Sequence, residues 1–139
     1  MIAYVDASVL LRVAFGEASR LREWEDIQLA VSSDLVRVEC LRTIDRMRIR
    51  LPLDDDEVVQ RRLALAAMLD RMDLAALSPP VLERASEPFP TALGTLDAIH
   101  LATALLWQRS EEQSLTFLTH DAELGRAARA MGFAVLGCA

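Results

Sequence analysis

Asp97 and His100 lie one helical turn apart in TLDAIHLATAL, residues 95–105, a segment that is otherwise almost wholly apolar. At about 100° per residue, Ala98, Ile99, Leu101, Ala102, Leu105 and Leu106 surround most of the helix, which is the pattern of a buried helix. An unpaired buried carboxylate is costly, so the pattern predicts positive charge close to Asp97. A local explanation exists beside it. With Thr95 as N-cap and a helix starting near Leu96, Asp97 falls in the first turn, where the dipole favours a carboxylate by about 0.3 to 1 kcal/mol. Two further aspartates stand where apolar runs end: Asp6 directly after IAYV, and Asp121 after LTFL, Thr119 and His120. Either can cap the next helix, worth about 1 kcal/mol, or line a site beyond the carboxyl ends of parallel strands. Glu39 lies in DLVRVECLRTIDRM and shares its helix face with Arg42 and Arg46. Its spacing from Arg42 allows an ordinary ion pair of about 0.2 to 0.5 kcal/mol.

Other polar groups support less chemistry. Asp54, Asp55, Asp56 and Glu57 open a helix, where consecutive side chains diverge and the dipole prefers acids. The Asp97–His100 pair has no third nitrogen or sulfur ligand for a transition-metal site, and His100 is expected to pack inward and hydrogen-bond locally. Cys40 and Cys138 match no metal-ligand spacing and are read as reduced thiols, Cys40 packed in a helix.

The elements that must position these residues follow from periodicity. Apolar runs at 2–5, 29–32, 74–77, 115–118 and 133–136 predict strands. Helical patterns occupy 8–24, 34–49, 54–71, 80–86, 96–109 and 122–131, the last stopped by Gly132. LPLDDD at 51–56 and SEPFPTALG at 86–94 read as loops. Strands this apolar, separated by helices, predict an α/β chain: a three-layer α/β/α sandwich around a mainly parallel sheet of about five strands. At 139 residues, 1–139 is expected to be one domain.

Composition narrows the possibilities. Hydrophobic residues make up 53% and charged residues 26%, so the chain can bury a core and is not of the disordered class. No apolar stretch approaches the roughly 20 residues of a membrane span, and Met1 leads into IAYVDAS without a basic region, so the expectation is a cytoplasmic protein without a membrane anchor. The net charge of −6 hides a bias, because all 15 basic residues are Arg. Several crowd residues 42–62, where planar guanidinium groups can grip phosphate in bidentate fashion or merely solvate a helix face.

YVDAS, VECLR, LDAIHLATAL and LTHDAELGRAA resemble, in order and spacing over the whole chain, the PIN-domain nucleases, and most closely the small bacterial VapC-type toxins. The resemblance implies that Asp6, Glu39, Asp97 and Asp121 hold Mg²⁺ or Mn²⁺, with Ser8 and Thr119 as hydroxyl residues close to the site. It implies an endoribonuclease of a toxin–antitoxin pair, leaving 3′-hydroxyl and 5′-phosphate ends, with a cognate antitoxin as partner and a homodimer as assembly. Arg42 and Arg46 are the candidate RNA contacts. His120 departs from the pattern and is given a rim contact at most. The chemistry agrees: four close carboxylates repel, a hard cation relieves them, and its waters can attack a phosphodiester. A receiver domain or a haloacid-dehalogenase-type phosphatase would need a lysine, and there is none. A catalytically silent PIN-fold binding module and a non-toxin PIN nuclease of RNA processing remain as alternatives.

Overall fold

Each of the five apolar runs forms a strand, and all pair in parallel. The structure, a computed structural model, describes residues 1–138. Strands β1 (Ile2–Val5), β2 (Leu29–Ser33), β3 (Asp73–Ala75), β4 (Thr116–Leu118) and β5 (Ala134–Leu136) lie in the order β3-β2-β1-β4-β5. Helices α1 (Ala7–Ala14), α2 (Leu35–Arg50), α3 (Asp55–Leu69), α4 (Pro79–Ala85), α5 (Thr95–Glu111) and α6 (Ala122–Ala130) connect them.

The period of two along β1 explains the layering. Ala3 and Val5 face a core built with Val9 and Leu10 of α1, Val36, Cys40 and Ile44 of α2, and Leu65 and Leu69 of α3. Tyr4 points to the other side, against Leu101 and Ala104 of α5 and Leu124, Ala127 and Ala128 of α6. The result is the expected three-layer α/β/α arrangement, with the first strand at its centre.

Two local expectations need correction. The helix expected over 8–24 stops at Ala14, because Phe15 caps it and Gly16 turns into the left-handed region at φ 64°. Leu21 and Trp24 still pack on the core, from a loop and a short 3₁₀ turn at Arg22–Asp26, so their apolar spacing mimicked a continuing helix. At the start of α5 the N-cap is Gly94 and not Thr95, and no side chain caps that end. Two other starts are capped by side chains: Asp54 accepts from Glu57 N–H at 2.8 Å at α3, and Ser78 caps α4 ahead of Pro79, whereas Asp34 at the start of α2 makes no such bond.

Candidate active site

β2 and β4 lie on opposite sides of β1, so the chain leaves the sheet in different directions at the carboxyl ends of β1 and β4, and a crevice opens between them. Asp6 and Asp121 stand at those two ends. Both are caps: Asp6 accepts from Val9 N–H at 3.2 Å and Asp121 from Leu124 N–H at 3.0 Å. Capping is only part of what Asp6 does. The Ser8 hydroxyl donates to its Oδ1 at 2.6 Å, and the buried Thr119 hydroxyl donates to its Oδ2. Asp6 is 5% exposed, and burial pushes its carboxyl above the usual range while the two hydroxyls pull it back. Asp121 N–H donates to the Thr119 hydroxyl at 3.0 Å, and His120 N–H to the Ser8 hydroxyl at 2.9 Å. Ser8 and Thr119 therefore join the start of α1 to the end of β4.

Asp97 reaches this crevice from the first turn of α5, half-buried, on a helix whose residues Ala98, His100, Leu101, Ala102, Thr103 and Ala104 are buried. The positive charge expected beside it is not an arginine: among the described residues no arginine pairs with Asp97. Acids surround it instead. Burial, then the charges of Asp121, Asp6 and Glu39, push its carboxyl up to about 6, opposed by His100.

Glu39 departs from its expected pairing. Arg42 turns away to Asp45 at 3.1 Å, an exposed pair, and Glu39 Oε1 bonds to His100 Nε2. His100 is therefore not bonded only locally: its other nitrogen, Nδ1, is 2.7 Å from the hydroxyl of buried Tyr4. Sequence reasoning missed Tyr4 altogether and discounted His100. The signal available was the three-residue step from Asp97, which sets both side chains on one helix face. Arg46 is exposed and reaches only the Thr43 hydroxyl, at 3.3 Å. His120 is tied to the chain end through Nδ1 and the Gly137 carbonyl at 2.9 Å. Cys40, beside Glu39, has its thiol pushed up to about 12 by burial and by the neighbouring acids, which keeps it protonated and unreactive.

Comparison with known proteins fits this geometry. The profile of the PIN-domain family matches residues 3–130. Ribonuclease VapC47 of Mycobacterium tuberculosis (strain CDC 1551 / Oshkosh) is 31% identical over 137 residues, covering 94% of this chain and 92% of its own length. Ribonuclease VapC46 of Mycobacterium tuberculosis (strain ATCC 25618 / H37Rv) is 34% identical over 138 residues, covering 96% and 95%. This chain is a PIN-domain protein of the VapC type. The crystal structure of PAE2754 from Pyrobaculum aerophilum shares the fold, with a TM-score of 0.60 at 22% identity, covering 96% of this chain and 83% of that one.

The acids of this PIN domain offer a cation oxygen donors only, the set that suits a hard divalent ion. As the side chains stand, no three His, Cys, Asp or Glu groups among the described residues converge closely enough to hold one. The donors are not exhausted, however. Three hydrogen bonds occupy Asp6, and a carboxylate can accept about four. Glu39 uses one oxygen on His100.

Proposed function

We propose that this PIN domain is a divalent-cation-dependent endoribonuclease and the toxin of a toxin–antitoxin pair, with Asp6, Glu39, Asp97 and Asp121 as its metal-holding carboxylates. The observation that carries this reading is the PIN-family match with kinship to two VapC ribonucleases, on a fold that brings Asp6 and Asp121 to neighbouring strand ends and Asp97 close enough for their charges, with Glu39 and burial, to raise its carboxyl. The repulsion felt at Asp97 is what Mg²⁺ or Mn²⁺ would relieve. When bound, the cation neutralises the acids, polarises a phosphodiester and acidifies a water. The rest falls to the chain. Ser8, Thr119 and the Val9 N–H hold Asp6 in one orientation, so it need not reorganise when substrate enters. Arg42 and Arg46 follow Glu39 by one and two turns of α2, and we assign them to the RNA phosphates. The Arg42–Asp45 pair is solvent-exposed and screened, so a phosphate can displace it.

The names of the two ribonuclease relatives support RNA as substrate. In a panel of structured RNAs, cleavage with 5′-phosphate and 3′-hydroxyl ends is expected in Mg²⁺ or Mn²⁺ and none in EDTA. Cleavage that survives EDTA, or none with either cation, would overturn the reading. Induced expression should arrest bacterial growth only while the acids are intact; equal arrest by an Asp97→Asn chain would sink the toxin assignment.

A toxin needs a restraint, and we place the antitoxin on the α2–α3 side. A groove of about 300 Å³ there is lined by Leu41, Leu63, Leu65 and Leu69 with Arg37 and Arg62 at hand, and Leu63 is 62% exposed. An amphipathic antitoxin helix fits such a surface. Leu63→Asp should weaken antitoxin binding by about tenfold or more, read by calorimetry, with RNA cleavage unaltered. The homodimer implied by the same kinship is read by light scattering.

A further inference from the structure

A buried chain of side chains runs from the middle of the sheet to Glu39. Tyr4 on β1 is wholly buried, stacked on Phe117 with centroids 5.0 Å apart, and meets the His100 ring edge-on at 5.8 Å. Its hydroxyl lies 2.7 Å from His100 Nδ1, and His100 Nε2 bonds to Glu39. A carboxylate can only accept, so Nε2 carries the proton and donates it, while the Tyr4 hydroxyl satisfies Nδ1. His100 is 1% exposed, so water has little access to either nitrogen.

Glu39 depends on this contact. Its side chain has three rotatable bonds and is 20% exposed. Its own helix gives the carboxylate no support: Arg42 binds Asp45, and the Thr43 hydroxyl takes the Glu39 backbone carbonyl at 2.9 Å. Tyr4, fixed by Phe117, orients the ring, and the ring orients Glu39.

We propose that His100, oriented by Tyr4, is a positioning residue that presents the Glu39 carboxylate to the divalent cation. This rests on the reading of Glu39 as a metal-holding acid. Partners that orient ligating groups typically contribute about 10- to 100-fold to metal affinity.

The test is Mn²⁺ affinity of the full chain by calorimetry, without RNA. His100→Gln puts an amide N–H where Nε2–H stood, whereas His100→Asn is shorter and leaves its amide near Tyr4. His100→Asn is expected to weaken Mn²⁺ binding by about 10- to 100-fold, His100→Gln by no more than about threefold, and Tyr4→Phe by about tenfold. Equal losses in the Gln and Asn variants, or wild-type affinity in His100→Asn, would overturn the proposal. If His100→Asn does not fold, as read by circular dichroism, Tyr4→Phe against His100→Gln decides, and wild-type affinity in Tyr4→Phe overturns it. Asp6→Asn separates the two levels. Unchanged Mn²⁺ affinity there removes the metal site itself. Lost affinity there, with wild-type affinity in His100→Asn, removes only the positioning role.

Discussion

Asp6→Asn should lower RNA cleavage by about a thousandfold or more while the protein melts within a few degrees of the wild type. The two halves of this expectation have separate causes. Asparagine caps a helix about as well as aspartate, so its amide oxygen can keep the Val9 N–H. Ser8 donates to that same oxygen, and the substitution also removes a charge that burial disfavours, which offsets part of the loss of the Thr119 bond on the other oxygen. Cleavage has no such compensation. A neutral amide is a poor ligand for a hard cation, and metal stabilisation of the transition state amounts to several kcal/mol, of which about 4 kcal/mol corresponds to a thousandfold. Cleavage rates and a melting curve on the same preparation test both halves. Activity above about a tenth of wild type would remove Asp6 from the reaction.

The second large effect is thermal and has a definite sign. The Asp97 carboxyl is raised from 3.8 to about 6 in the folded chain, so between those values the folded state binds more protons than the unfolded one. The destabilisation is fully present above pH 6 and fades as pH falls through 6 toward 4. Without a cation, the melting temperature should therefore rise on going from pH 7.5 to 5.5, relative to an Asp97→Asn variant titrated in parallel. Asp6 is shifted in the same direction and adds to the effect in both chains. At pH 7.5, Mn²⁺ at a hundred times its Kd should stabilise the wild type by about 2.7 kcal/mol, about 9 °C for 139 residues. Asp97→Asn should lose most of that rise. Parallel pH profiles in the two chains, with no shift in either Mg²⁺ or Mn²⁺, would remove Asp97 from a shared cation site.

The parts of the fold legible in the sequence are those governed by short-range rules. Each strand is an apolar run bounded by turn signals, and every strand falls within two residues of its expected start. The aspartates after IAYV and LTFL were visible for the same reason, since a strand end is a local event. The failures share a cause as well. Leu21 and Trp24 keep helical spacing although Gly16 has already ended the helix, because burial selects apolar residues whatever the backbone does. Glu39 has a plausible partner three residues on, yet bonds to a histidine 61 residues away. No spacing rule reaches across that separation. Tyr4 reads as one more apolar strand residue until His100 is folded against it, and only then does its hydroxyl matter.

The central place of β1 has a consequence for timing. Thr119 and Asp121 are made 113 and 115 residues after Asp6, yet β4 must lie beside β1 before Thr119 can reach Asp6. At roughly 5 to 20 residues per second, a ribosome needs about 6 to 23 seconds to span that interval. Until then the nascent chain carries Asp6 and Glu39 without the strand that completes the crevice. In a chain built in this order, the hydroxyl that steadies Asp6 and the acid that stands beside it arrive together, and only once β4 has been made.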